Sequence, residues 1–268
     1  MFQARKRKRT QEEKDLQSKT ESITFKPEEL ALLRDSGMLT DTHINASLRL
    51  LKKQHPDIQG LQDPLLGSKL QFDICKGKFV QILHDGNLHW LTVSNVMGSN
   101  YEIDVYDSLA SSTHHVSMNV KMQIAAITMT QKKHITLRIR KCQRQKGGVD
   151  CGLFAIAITA SLCKGEDPTN LKYNQDVMRR HLEDCIHKSH IAEFPHKEMM
   201  LKSNKETYRI SNVNLYCICR LPDNHKERMI ECSICKEWYY QTCLSIPKEM
   251  FMDKTLSEGW LCTHCGEK

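Results

Sequence analysis

The sequence lacks two features that would place it in a membrane or in an export pathway. Its 268 residues contain no run of about 18 apolar residues, the minimum length for a transmembrane helix. No apolar segment follows the basic beginning MFQARKRKRT, so that beginning does not match a secretory signal peptide. We therefore expect no membrane partner.

Charge is present in modest excess, with a net charge of +7 and five consecutive basic residues at 5–9. Such a run is typical of a nuclear localisation signal, of a contact with nucleic acid or an acidic partner, or of a solvated tail. We expect nuclear localisation and leave direct nucleic-acid binding open. Residues 1–24 are charged and lack periodicity, which predicts a disordered tail.

The twelve cysteines are distributed unevenly, with five in the first 185 residues and seven in the last 52. Because there is no secretory signal, the dense cluster is better explained as metal ligands than as disulfides. The sequence thus predicts two units, at 25–200 and 214–268, joined by a polar linker at 201–213.

The pattern of the first unit predicts strands in the middle and helices on both sides, which is the α+β class. Helices are predicted in KPEELALLR, in DTHINASLRLLKKQ with Asp41 as its cap, around 116–129, in CGLFAIAITASLC and over roughly 170–188. Strands are predicted in KFVQIL, LHWLTVS, YEIDVYD and HITLRIR, the first two joined by the turn HDGN. The helix CGLFAIAITASLC is apolar on all sides, so we expect it at the centre of the domain.

Four residues at the ends of these elements could form a thiol-dependent catalytic site. Cys151 occupies the first turn of the buried helix, where unpaired N–H groups and the helix dipole favour a thiolate. His89 begins one strand and Asp107 ends the next, so the two side chains meet if the strands are neighbours. Gln145 could donate its amide N–H to a developing oxyanion. Each residue alone is more often structural, and only the combination indicates catalysis.

The sequence resembles the ubiquitin-like-protein-specific cysteine proteases, the SUMO/sentrin-protease and adenain-like group. The resemblance covers roughly residues 25–190 and is carried by HW, then VYDSL, then QKGGVDCGLF. The resemblance implies a papain-like or adenain-like catalytic domain at 25–200. It implies that His89 is the general base and then acid, that Asp107 fixes the imidazole tautomer, that Cys151 attacks the carbonyl and that Gln145 shares the oxyanion hole. The expected substrate is a ubiquitin-like modifier, its conjugates or a precursor protein.

The same resemblance predicts the walls of a substrate channel. Trp90 would lie along a channel for the small C-terminal residues of the substrate. In GMLTDTHIN, Met38 stands where the family segment W-L-N-D-x-x-I carries a tryptophan that helps wall this channel. A methionine could cover a Gly-Gly tail less rigidly, which leaves specificity for SUMO open. Adenain-like proteases, which cut precursor proteins, remain a second template.

The second unit carries closely spaced cysteines, and tetrahedral zinc needs four thiolate or imidazole donors. The pattern resembles a PHD finger over about 215–266, including Trp260 two residues before a cysteine. The resemblance implies two structural zinc ions in cross-braced sites, and no cofactor is expected for catalysis. One site would take Cys232, Cys235, Cys262 and Cys265, and the other would take Cys217, Cys219, Cys243 and the histidine of the family.

That histidine is absent, because WYYQTC places Tyr240 at its position. A phenol with a pKa near 10 is a poor zinc donor compared with imidazole. Three alternatives follow: Tyr240 binds as a phenolate, His225 or water completes the site, or this zinc is held weakly.

PHD fingers of this type often bind methyl-lysine of histone tails in an aromatic cage, and Tyr216, Met229 and Trp238 match cage positions. Aromatic faces and a thioether suit a quaternary ammonium, although in so small a core these side chains could simply cover it.

Three functions are consistent with these patterns. The first is a thiol peptidase or isopeptidase brought to chromatin by its finger. The alternatives are a catalytically inactive chromatin reader or scaffold, and an acyltransferase on the same cysteine fold. A protease and a PHD finger on one chain also resemble proteins encoded by mobile DNA elements of animals.

Overall fold

The computed structural model describes residues 25–98, 102–113, 115–199, 207–251 and 258–266, and the predicted disorder of residues 1–24 lies outside them. The first half of the chain forms α1 (Pro27–Arg34), α2 (Asp41–Gln54), β1 (Gln59–Gly60), α3 (Leu65–Ser68), β2 (Phe79–His84), β3 (Trp90–Ser94), β4 (Glu102–Tyr106) and α4 (Met118–Thr128). The second half forms β5 (His134–Arg140), α5 (Cys151–Cys163), β6 (Leu171–Tyr173), α6 (Gln175–His187), β7 (His196–Glu198), β8 (Thr207–Asn214), β9 (Met229–Glu231), β10 (Trp238–Tyr240), α7 (Gln241–Leu244) and α8 (Thr263–Gly266).

A six-stranded sheet with the order β1-β2-β3-β4-β5-β8 forms the middle layer of the first unit. Neighbouring strands β2, β3 and β4 are antiparallel, β4 and β5 are parallel, and β8 is antiparallel to β5. Both faces of the sheet are covered, because side chains that alternate along β2 belong to two separate cores. The first core contains α1, α2, α5 and α6 with Val80 and Ile82, and the second contains α4 with Phe79 and Leu83.

The main helices and strands confirm the mixed α and β architecture that the sequence predicts. Strand β5 covers HITLRIR, and every residue of α5 is buried, as its uniform hydrophobicity predicts. One detail of the prediction is wrong: Asp41 is the first residue of α2 and Thr40 is its cap, because the extended backbone of Thr40 precedes the helix.

The last predicted helix of the unit begins later than its pattern indicated. Instead of starting near residue 170, α6 begins at Gln175. A 3₁₀ turn at Pro168–Asn170, in which the Asp167 side chain accepts from the Thr169 N–H, precedes β6. Alternating burial of Leu171 and Tyr173 fits the short strand.

Part of the segment predicted as a linker at 201–213 belongs to the sheet. Strand β8 pairs with β5 along its whole length, and Val213 is buried in the second core. The polar composition of this segment does not predict a strand. Strand β8 lies at the sheet edge, where Ile210 and other residues face solvent. Residues 201–206 lie outside the described part of the chain.

The second unit is a small finger built on the antiparallel pair β9 and β10. Its core consists of cysteines and a few apolar side chains, among them Ile230, Tyr239 and Ile246. Across the described residues, no helix is both long and apolar enough to cross a membrane.

Candidate functional site

The predicted catalytic histidine and aspartate meet at one end of the sheet. The hairpin before β3 is fixed by Asp85, whose carboxylate accepts the His89 N–H at 3.2 Å. Because β3 and β4 are neighbours, Asp107 lies beside His89, and Nε2 of His89 is 2.7 Å from Oδ1 of Asp107. The same oxygen accepts the Leu109 N–H at 2.8 Å, which orients the carboxylate. Since a carboxylate only accepts, Nε2 carries a hydrogen.

The protonation of His89 is set by its two partners. Burial alone would lower the pKa of His89, but its interactions with Asp107 and Cys151 outweigh burial and raise the pKa to about 10. Its other nitrogen, Nδ1, is buried and makes no well-aligned hydrogen bond with any described residue. Nδ1 is therefore the atom that remains to exchange a proton at Cys151.

Cys151 is the first residue of α5 and is almost fully buried, with its Sγ 4.0 Å from the carbonyl oxygen of Leu88. The residue before it fixes the helix start. Asp150 accepts hydrogen bonds from Nε2 of Gln175 at 2.6 Å and from Nε of Arg179 at 3.0 Å. Arg179 also donates to the carbonyl of Leu32 at 3.0 Å, so this network ties α5 to α6 and α1.

Gln145 is held in one orientation by its neighbours. Its Nε2 donates to the carbonyl of Gly147 at 3.1 Å, and because a carbonyl only accepts, this contact identifies the nitrogen end of the amide. Its Oε1 accepts from the hydroxyl of Ser108 at 2.6 Å, and its backbone N–H donates to the Ser108 carbonyl at 3.0 Å. Ser108 thus orients Gln145, and the second N–H of Nε2 is the group that the predicted oxyanion role would use.

The predicted channel residues pack around the start of α5. The indole N–H of Trp90 donates to the carbonyl of Leu39 at 3.0 Å. Met38 is half-buried and packs against the first core, to which Trp90 and Cys151 belong. At Gly152 an added Cβ would lie 3.0 Å from the Leu39 side chain and 3.2 Å from the Trp90 ring, so this close approach favours glycine.

A cavity of about 200 Å³ lies beside the ring of Trp90. Asp41, His84 and Gly86 are among the residues that line it. The cavity therefore adjoins one of the two predicted channel residues.

Four cysteines of the finger fit a zinc ion. The thiol sulfurs of Cys232, Cys235, Cys262 and Cys265 all lie within 4.8 Å of one another. Those of Cys235 and Cys262 are 3.9 Å apart. Four sulfurs at about 2.3 Å from one tetrahedral zinc would be about 3.8 Å apart, so the donor set and its spacing agree with a structural site.

The other predicted zinc site has three clustered donors. Cys217, Cys219 and Cys243 lie within 4.8 Å of one another, and among the described histidines, cysteines and acidic residues no fourth joins them. The exposed His225 pairs instead with Asp223, 3.0 Å from its Nδ1. Three thiolates fit zinc as a partial set.

Tyr240 uses its hydroxyl elsewhere in the finger. The hydroxyl donates to the carbonyl of Pro222 and accepts the N–H of Asn224 at 3.1 Å. Burial raises the pKa of the Tyr240 phenol above its usual value near 10, which disfavours the phenolate. This geometry argues against the predicted ligand role of Tyr240 and gives it a structural one, because both hydroxyl contacts hold the 222–224 loop.

The three predicted cage residues surround one cavity. Tyr216, Met229 and Trp238 line a space of about 420 Å³ together with Asp223, His225 and Glu227. Two aromatic faces, a thioether and nearby carboxylates are the surroundings that a methylated ammonium group favours.

Sequence reasoning missed the residues that hold the catalytic groups in place. Ser108 lies within the quoted stretch VYDSL and Asp150 within the DCG element, but their partners Gln145 and Arg179 are 37 and 29 residues away. No local pattern shows such pairings. The only sequence signal was the position of Ser108 and Asp150 next to predicted catalytic residues.

Two family models match the chain. Residues 72–205, which are 134 of its 268 residues, match the Ulp1 protease family, C-terminal catalytic domain, and residues 217–265 match the PHD-finger.

Two solved structures are similar to the first unit. A SUMO protease Ulp1 with its catalytic cysteine oxidized to a sulfonic acid is 16% identical, with a TM-score of 0.52, covering 65% of this chain and 92% of that one. The C-terminal Ulp1 protease domain in complex with SMT3, the yeast ortholog of SUMO, is 15% identical, with a TM-score of 0.50, covering 66% of this chain and 92% of that one. At these identities the likeness shows a shared fold.

Curated relatives match only over short stretches. Lysine-specific demethylase 7B of Danio rerio is 36% identical over 56 residues, which are 21% of this chain and 9% of that protein. Lysine-specific demethylase 7A is 47% identical over 51 residues in Danio rerio and 35% identical over 51 residues in Homo sapiens. These stretches are 19% of this chain and cover 6% and 5% of the two relatives, so the chain spans less than a tenth of their length.

Proposed function

Because the chain belongs to the Ulp1 protease family and is a cysteine-type peptidase with a PHD finger, we propose that it is a thiol peptidase or isopeptidase acting on a ubiquitin-like modifier. It cleaves after the small C-terminal residues of the modifier, in a conjugate or a precursor. The observation that carries this proposal is the His89–Asp107 pair, with Nδ1 of His89 left for the thiol of Cys151 at the start of a buried helix.

The reaction follows from the protonation of these groups. A Cys151 thiolate, paired with protonated His89, attacks the carbonyl carbon of the scissile bond. The Gln145 amide and the Cys151 backbone N–H stabilise the oxyanion. Nδ1 of His89 then gives its proton to the leaving amine, and the C–N bond breaks to leave a thioester. Finally His89 accepts a proton from a water that attacks the thioester, which frees the modifier and restores the thiolate.

The channel supports a substrate tail made of small residues. Trp90 and Leu39 pack closely against Gly152, the residue after Cys151, so the predicted channel residues lie at the proposed nucleophile. A structurally similar Ulp1 domain is in complex with SMT3, so a modifier of the SUMO class is the first candidate.

The finger directs this activity to chromatin in our proposal. Cys232, Cys235, Cys262 and Cys265 would hold one zinc ion, and Cys217, Cys219 and Cys243 would hold a second, with a water molecule rather than Tyr240 as its further donor. Zinc supplies the finger's structural cross-links and takes no part in cleavage.

The cage around Tyr216, Met229 and Trp238 binds a methylated lysine of a histone tail. The basic run at 5–9 and the finger together support nuclear localisation.

Two other functions have less support from the structure. A catalytically inactive scaffold would have no need of an amide held by Ser108 or of an imidazole held by Asp107. An acyltransferase would transfer labelled acetyl from acetyl-CoA to protein.

The test of the peptidase is covalent capture by modifiers that carry a C-terminal vinyl sulfone. Incubation of the full chain with a panel that includes SUMO and ubiquitin should give an adduct with at least one modifier. Cys151→Ala should abolish the adduct, whereas Cys163→Ala, at the far end of the same helix, should retain it. An adduct that survives Cys151→Ala would refute the assigned nucleophile, and no adduct with any modifier would favour the scaffold.

A further inference from the structure

The finger is attached to the catalytic domain by a strand, and not only by the chain that connects them. Strand β8 pairs with β5 from Arg140, opposite Thr207, to His134, opposite Asn214. The ladder continues one step further, since the Leu215 N–H donates to the carbonyl of Lys133 at 2.7 Å. The next residue is Tyr216, a wall of the proposed cage.

Side chains strengthen the attachment at this end of the sheet. Leu215 is buried in the second core, and Leu221 packs against both that core and the core of the finger. Glu237 of the finger accepts the Cys217 N–H at 3.3 Å and lies 3.8 Å from Nζ of Lys133. Lys133 is largely exposed, so this ion pair contributes little, and the strand pairing and the two leucines fix the finger.

The register places the cage and the catalytic cysteine at opposite ends of the sheet. Asp107 follows Tyr106, which pairs with Arg140 at the carboxyl end of β5. The finger begins beside His134, at the other end of the same strand. Six residue steps along β5 cover about 20 Å, and the two strand spacings from β4 to β8 add about 10 Å sideways. The cage and the nucleophile are therefore separated by roughly 25 Å, since each lies beyond the paired residues.

This separation limits which substrates can occupy both sites at once. We propose that the docked finger acts as a fixed spacer, so that one substrate chain is held in the cage and cleaved only when about four or more residues separate its methylated lysine from its modified lysine. The length follows from an extended chain, which covers at most about 3.5 Å per residue, together with the two lysine side chains, which reach roughly 6 Å each. This inference rests on the proposed function. Binding in the cage would raise the effective concentration of the scissile bond for long spacings and not for short ones.

The test uses the full-length protein and two synthetic conjugates of SUMO. In each, the SUMO C-terminus is joined by an isopeptide bond to a lysine of a Gly/Ser-rich peptide, and a trimethyl-lysine follows either one or fourteen residues later. Unmethylated peptides of the same lengths are the controls. Trimethylation should raise kcat/KM at least about tenfold for the longer spacing, as for a tethered second site, and should leave the shorter one unchanged.

A variant that frees the finger makes the test specific to the spacer. A flexible insertion of twelve Gly/Ser residues between Asn214 and Leu215, combined with Leu215→Ser, leaves β8 in place and removes the strand pairing and the buried leucine that hold the finger. In this variant, trimethylation should also accelerate cleavage of the one-residue conjugate. Zinc content of the variant, compared with the parent, shows that the finger is still folded.

The outcomes separate this inference from the proposed function. A methylation effect of equal size at both spacings in the parent protein would overturn the fixed spacer. The fixed spacer would also be overturned if the trimethylated peptide binds the protein in a fluorescence-anisotropy assay but trimethylation accelerates cleavage at neither spacing. Absence of peptide binding would refute the cage, and absence of cleavage would refute a SUMO-class substrate, and each result would overturn the spacer as well.

Discussion

Ser108→Ala should impair catalysis through Gln145 without weakening substrate binding. Ser108 is buried and donates to Oε1 of Gln145 at 2.6 Å, so its removal leaves a buried amide oxygen without this donor. An unsatisfied buried acceptor costs about 1–3 kcal/mol, which the amide can avoid by rotating away from the oxyanion position. Loss of one oxyanion donor costs on the order of 10²-fold in kcat, the effect expected for Gln145→Ala. Partial misorientation should cost about tenfold, or about 1.4 kcal/mol.

A double-mutant cycle distinguishes a positioning role from a general loss of stability. Steady-state cleavage of a fluorogenic modifier substrate should show lower kcat and an unchanged KM for Ser108→Ala. In the Gln145→Ala background, Ser108→Ala should have almost no further effect, because the group on which it acts is gone. Ser111→Ala is the matched control, since the hydroxyl of the half-buried Ser111 pairs with that of Thr113, at 3.1 Å, and not with Gln145. Independent, multiplicative effects of the two substitutions would refute the reasoning.

Three further predictions concern reactivity, the finger and pH. Cys151 should react with iodoacetamide at pH 6–7 faster than Cys163, whose pKa burial raises to about 12; equal rates by peptide mass spectrometry would contradict the catalytic assignment. Tyr240→Phe should lower the melting temperature of the protein without changing its zinc content, because the hydroxyl holds the Pro222 carbonyl; loss of zinc would make Tyr240 a ligand. Burial lowers the pKa of His43, so the unfolded state binds the proton more readily and stability should fall as pH drops below about 6.5; urea midpoints between pH 7 and 5 should show a shallower decline for His43→Gln, and equal slopes would refute this.

The elements that the sequence predicts well are those whose burial is periodic or complete. HITLRIR alternates, and its strand covers the predicted residues, while the uniformly apolar α5 lies wholly inside. Strand β8 was not predicted, because an edge strand buries few side chains and the polar pattern of SNVN therefore indicates a linker. Short strands such as β6 carry too few residues to show a period.

The proposed catalytic residues could be placed from the sequence because each stands next to an element boundary that the pattern reveals. His89 and Asp107 follow from two adjacent strands, and Cys151 follows from the start of a helix. The groups that orient them could not be predicted, since the contacts of Asp150 with Arg179 and of Gln145 with Ser108 depend on how distant segments pack. Local sequence thus predicts which groups are candidates for the reaction, and tertiary structure decides how they are held.

The predicted zinc site with three cysteines lies next to the junction between the finger and β5. Two of the donors left open by the sequence are used elsewhere, since Tyr240 bonds to the backbone of the 222–224 loop and His225 pairs with Asp223. Three thiolates and a water molecule hold zinc less completely than four thiolates, so this site should be the weaker of the two. Cys217 directly follows the cage residue Tyr216, and its N–H donates to Glu237 at the junction with β5. Metal loss here would therefore loosen the cage and the attachment of the finger together, while the four-cysteine site stays folded.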